Sequence, residues 1–186
     1  MYGRAPNADK NLDTLNGVRV IAICWVILGH TYYYMLAGPI ENPEKVLSFF
    51  DEYSFTFIMS APYSVDVFFW LSGFLGCYIM LTTMHRKKGR MQPYYLILLH
   101  RLIRLWPMYV SCMLIFWGFM KYFGSGPVFY QFSELAVDEC NKSWWSHLLF
   151  INNFYPIPDD CMGWTWYLAN DFQFFLITPP IIWLMY

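Results

Sequence analysis

Residues 20–38 read VIAICWVILGHTYYYMLAG, a run without Asp, Glu, Lys or Arg, interrupted only by His30 and closed by the Gly38-Pro39 break. A membrane helix needs about 20 mostly apolar residues to cross ~30 Å of hydrocarbon, so this run predicts a span at about 18–37. Between Glu52 and His85 the one charged residue is Asp66, and Ala61-Pro62 signals a helix start, which predicts a second span at about 62–84. Arg104 to Lys121 is uncharged, and a helix begun near Tyr94 gives a third span at about 94–120. A fourth, at about 163–186, holds Asp171 as its one charge.

The composition of the 186 residues agrees. Hydrophobic residues make up 58%, aromatic residues 22% and charged residues 13%, where soluble domains carry about 25% charge. The net charge of −1, with no basic face, gives nucleic-acid binding no support. The expected fold is all-α, a polytopic transmembrane bundle with four spans, preceded by a polar cytoplasmic segment at 1–16. The partner is the lipid bilayer. The apolar ending Trp183-Leu184-Met185-Tyr186 lacks stop-transfer charges and reads as a fragment of a longer chain.

Lysine and arginine set the orientation. Arg86, Lys87, Lys88 and Arg90 crowd the second connection, and with Arg4, Lys10, Arg19, Arg101 and Arg104 they place nine of the twelve basic residues on one side. That side is expected to be cytosolic, with the N-terminus, in a multi-pass protein of the plasma membrane or endoplasmic reticulum. The opposite side holds the Asn141-Lys142-Ser143 glycosylation sequon, with Asn141 as its acceptor. It also holds Cys140 and Cys161, the two cysteines outside the spans, whose disulfide would contribute about 3 kcal/mol in an oxidising compartment. Cys24, Cys77 and Cys112 show no metal-ligand spacing and read as packing residues, so no metal is expected. The first outer loop is expected to form a short interfacial helix. In the second, HLLFINNFYP (147–156) is too short to cross and fits a partly immersed or re-entrant element.

Ionisable groups inside a membrane are costly and therefore pointers to function. Arg19 and His30 are eleven residues apart, about three turns, so they share a face of the first span ~16 Å apart. His30 suits a general base, and also a neutral imidazole bonded to a neighbouring group. Arg101 and Arg104 share a face and suit a phosphate clamp, or an interfacial anchor. Asp171 needs a cationic partner, for which a histidine or arginine on another span is the candidate.

Arg19 with His30, Phe68-Phe69 with Leu71-Ser72-Gly73-Phe74, and Arg101-x-x-Arg104-x-x-Pro107-x-Tyr109 resemble the membrane acyltransferase 3 family. Trp144-Trp145, Ile151 to Pro156, Cys161 to Trp164 and Trp166 to Asp171 are similar to its animal branch, called nose resistant to fluoxetine. The resemblance covers about 12–186 and makes 17–186 part of an acyltransferase domain of about ten spans. It implies a transferase moving an acyl group, other than aminoacyl, from acyl-CoA to an acceptor, with His30 catalytic and Arg19, Arg101 and Arg104 binding substrate. The rival reading is a transporter or lipid-handling protein with an intramembrane His/Arg pathway.

Overall fold

The computed structural model describes residues 13–38, 42–90, 92–156 and 160–185. The polar segment expected at 1–16 lies outside the described residues up to position 12. The described residues are helical and contain no strand. Four helices are long and apolar enough to cross a membrane: α1 (Asp13–Ala37), α4 (Tyr63–Arg86), α5 (Tyr94–Phe119) and α7 (Trp166–Met185). Three shorter or more polar helices join them, α2 (Pro43–Phe49), α3 (Tyr53–Met59) and α6 (Pro127–Leu148). The first connection thus forms two short helices where one was expected. The chain divides into two compact units, Met1–Phe74 and Leu75–Tyr186.

In the first unit α1 packs on α3 through a stripe at helical spacing. Ala22 is buried, the Trp25 ring stacks on Phe57 at 4.9 Å, and its Nε1 donates to the Phe57 carbonyl at 2.9 Å. Farther along, Tyr32 meets the buried Phe55 edge-on at 6.0 Å. Between them Gly29 faces Ala61, and a Cβ on Gly29 would lie 2.3 Å from the Ala61 Cβ. The missing side chain therefore sets how closely α1 approaches the turn that leads into α4. That turn ends at Pro62, and the helix begins at the next residue, as a proline's missing N–H permits.

In the second unit α5 and α7 run antiparallel. Tyr94 near the start of α5 bonds Leu176, whereas Arg101 one face-repeat later meets Asp171. Pro180 explains the first contact. It has no N–H to offer the Leu176 carbonyl four residues back, and the Tyr94 hydroxyl donates to that freed oxygen at 2.8 Å. One apolar cluster around Met80, Met84 and Ile182, with Ile97 and Phe175, joins the end of α4 to the same two helices. Gly89, at φ +82°, closes α4 by donating its N–H to the Met84 carbonyl at 2.9 Å.

A second cluster holds α6 against the other halves of α5 and α7. It contains Tyr109, Met113, Cys140, Phe150, Cys161, Met162 and Ala169. HLLFINNFYP, read as a partly immersed or re-entrant element, holds little regular structure beyond the end of a helix. It finishes α6, reverses at Phe150, and makes a single 3-10 turn at Asn152–Phe154. Phe150 adopts φ +55°, a left-handed conformation that costs a non-glycine residue about 1–2 kcal/mol. Its ring is held between Tyr109, at 5.5 Å, and Phe172, at 4.6 Å, and this sandwich fixes the reversal.

Replacing Gly29 by Ala should force α1 off the Ala61 turn and cost about 1–3 kcal/mol. Thermal unfolding of the detergent-solubilised protein measures it, and an unchanged midpoint would show that the approach is not limiting.

Candidate functional site

Arg19 and His30 lie exposed on α1, about 100° around the helix from the Trp25–Gly29 stripe. The packing of the first unit therefore leaves their shared face uncovered. The His30 Nδ1 lies 2.9 Å from the Val26 carbonyl one turn back. A carbonyl oxygen only accepts, so Nδ1 carries a proton, and Nε2 is the ring nitrogen left outside that bond. The Tyr34 ring stands 6.3 Å away on the next turn.

In the second unit Arg101 and Asp171 come together as an ion pair between α5 and α7, both side chains largely buried. The Arg101 guanidinium also lies over the Phe175 ring, 4.1 Å from its centre, and Phe175 is one turn beyond Asp171. One arginine thus spans two successive positions on the same face of α7. Arg104, one turn along α5, is exposed. Farther along α7 an amide cluster faces the α6 reversal. Gln173 Nε2 donates to the Phe150 carbonyl and to Asn153 Oδ1, both at 2.8 Å, and Asn153 Nδ2 donates to Asn170 Oδ1 at 2.7 Å.

Cys140 and Cys161 form a disulfide. Two turns beyond Cys140 on α6 lies His147, wholly buried, and next to Cys161 lies Asp160, 5% exposed. His147 Nε2 is 2.7 Å from Asp160 Oδ1, and His147 Nδ1 is 2.7 Å from the Tyr109 hydroxyl. Asn152, also buried, donates its amide to Asp160 Oδ2 at 3.3 Å and to Thr165 Oγ1 at 3.2 Å. The Thr165 hydroxyl donates to the Met162 carbonyl at 2.8 Å and stands 3.0 Å from Tyr109. Beside this chain lies a cleft of about 350 Å³ lined by Asn152, Asn153, Tyr155, Asp160, Trp166 and Asn170.

Sequence reasoning did not single out Tyr109, His147, Asn152, Asp160 or Thr165 as site residues. The cysteines carried a usable signal, because a bridge between them brings Asp160 to the helix that bears His147. Asn141, the sequon asparagine, is exposed in the middle of α6, and its Oδ1 accepts from Trp117 Nε1 at 3.1 Å. Ser143 of the same sequon is buried and accepts from the Cys161 N–H at 2.9 Å. Cys24 and Cys112 lie exposed on their helices rather than in a packed core, whereas Cys77 sits against the Met80 cluster. Among the described residues no three His, Cys, Asp or Glu side chains converge as a metal site.

Four helices long and apolar enough to cross a membrane define a multi-pass membrane protein of the all-α class. The chain belongs to the acyltransferase 3 family, whose acyltransferase domain matches residues 12–186. It is 32% identical, over 94% of its length, to nose resistant to fluoxetine protein 6 of Caenorhabditis elegans. To regulator of hypoxia-inducible factor 1 of the same organism it is 30% identical over 92%. It spans 22% and 34% of the length of those two relatives. No solved structure matches it.

Asp171→Asn should leave the Arg101 charge without its carboxylate and destabilise the protein by about 3 kcal/mol. The double replacement Arg101→Met with Asp171→Leu should recover most of that loss. Unfolding of the two variants beside the unaltered protein in detergent checks both expectations, and equal losses in the single and the double variant would refute them.

Proposed function

We propose that the protein transfers an acyl group from acyl-CoA to a hydroxyl or amine acceptor, with His30 as general base. The observation that carries this reading is the His30–Val26 bond, which leaves Nε2 outside it on the uncovered face of α1. In the reaction Nε2 takes the acceptor proton as the acceptor attacks the thioester carbonyl. The C–S bond then breaks, and the proton passes to the departing thiolate. Family membership supports the reaction class.

Arg19, Arg101 and Arg104 bind the phosphates of the donor in this reading. Arg101 is oriented by Asp171 and Phe175, while Arg104 presents an exposed guanidinium fork from the adjoining turn. The N-terminus and the basic connection after α4 face the cytosol, where acyl-CoA is found. The α6 region then faces an oxidising compartment, which the Cys140–Cys161 bridge supports. Glycan addition at Asn141 would precede closure of that bridge, because Ser143 is committed to Cys161 afterwards. Residues 17–186 form the opening part of the transferase domain.

In the full-length protein His30→Ala should lower transfer from labelled acyl-CoA by about 100-fold or more. Arg104→Ala should raise KM for acyl-CoA about tenfold with kcat retained. Unchanged turnover in His30→Ala removes the histidine from the mechanism. Flux of an unmodified solute into vesicles without acyl-CoA would support a transporter instead.

A further inference from the structure

We propose that the cleft beside the α6 reversal binds an ammonium group, held by the Asp160 carboxylate and the Asn152 side-chain carbonyl. The site is separate from His30 and does not depend on acyl transfer.

The argument begins with hydrogen bonds already committed. Asn152 spends its amide hydrogens on Asp160 and Thr165, Asn153 spends its own on Asn170 and Gln173, and Gln173 spends its own on Phe150 and Asn153. What remains along the wall is acceptor capacity. Among the described residues Asn152 Oδ1 has no hydrogen-bond partner, although the residue is 1% exposed and lines the cleft. A buried carbonyl left in this way has lost its water without replacement, so the position calls for a donor.

Charge selects the kind of donor. The Thr165 hydrogen goes to the Met162 carbonyl, and Thr165 Oγ1 already accepts from Asn152. The Tyr109 hydroxyl stands 2.7 Å from His147 Nδ1 and 3.0 Å from Thr165 Oγ1. His147 Nε2 lies 2.7 Å from Asp160 Oδ1. The Asp160 side chain is buried at the cleft, and among the described residues the cleft lining contains no Lys, Arg or His. A carboxylate at such a cleft favours a cation over an anion or a neutral group. Trp166 and Tyr155 line the rest of the cleft with aromatic rings, which attract an ammonium group as well. A volume of about 350 Å³ suits a small organic amine rather than a bare metal ion, for which no third ligating side chain is present among the described residues.

The test uses the full-length protein in lipid nanodiscs, with ethanolammonium as probe and ethylene glycol as its neutral isostere at constant ionic strength. Ethanolammonium should raise the unfolding temperature saturably, and ethylene glycol should not. Asp160→Asn and Asn152→Ala should each weaken ethanolammonium binding about tenfold or more. Trp166→Leu, which leaves the polar chain intact, should weaken it severalfold and serves if Asp160→Asn fails to fold. No response of the unaltered protein to ethanolammonium, an equal response to both probes, or undiminished affinity in Asn152→Ala and Trp166→Leu would overturn the site. The first of these outcomes would assign Asn152 Oδ1 to bound water.

Discussion

Hydrocarbon offers no water, so each polar group carried into it must find a protein partner, and most of the architecture follows from where those partners lie. A charged side chain at the centre of a helix costs about 2.5–3.5 kcal/mol on insertion scales. Arg101 and Asp171 meet that cost jointly, and in doing so they fix the rotation of α5 against α7. The same rule acts on the backbone. Pro180 releases the Leu176 carbonyl inside an apolar helix, and the Tyr94 hydroxyl satisfies it, adding a second polar tie two turns from the first. Apolar contacts alone would discriminate weakly among rotations of helices this uniformly hydrophobic.

At the other end of α5 and α7, burial is set by covalent and hydrogen-bond constraints together. The bridge from Cys140 to Cys161 brings the segment after the Asn152–Phe154 turn against α6. Asp160 reaches His147 because each lies a fixed distance along the chain from one of the two sulfurs. The reversal that makes this possible runs through Phe150 in a conformation that disfavours side chains, and its ring is repaid by stacking on both Tyr109 and Phe172. Tyr109 therefore takes part twice, with its ring in the sandwich and its hydroxyl in the chain to His147.

The number and kind of long helices were legible because charge exclusion is a one-dimensional signal. Uncharged runs ended by Gly38-Pro39 or begun by Ala61-Pro62 announce a span without reference to the rest of the chain. The α6 region was harder to read. Pro127–Leu148 mixes acids, serines and tryptophans, and its burial depends on α5 and α7, which periodicity within one segment does not reveal. His147 and Asp160 escaped for the same reason. A histidine in Trp-Trp-Ser-His and an acid beside Cys161 look like ordinary loop residues until the disulfide joins them. Arg19, His30, Arg101 and Asp171 stood out because an ionisable group is conspicuous against an apolar background.

The polar residues of α1 and α5 stand differently to the packing around them. On α5 Tyr94, Arg101 and Tyr109 all enter contacts that hold the second unit together. On α1 the packed and the ionisable residues fall on different faces. Ala22, Trp25, Gly29 and Tyr32 fasten the helix to the α3 turn, and Arg19 with His30 takes no part in that packing. The His30 ring is oriented from within its own helix by Val26, so its Nε2 direction follows α1 as a rigid body. Gly29, adjacent to it, fixes how deeply that body seats. An imidazole held this way needs no tertiary hydrogen bond to fix its ring, whose direction is set by α1 alone.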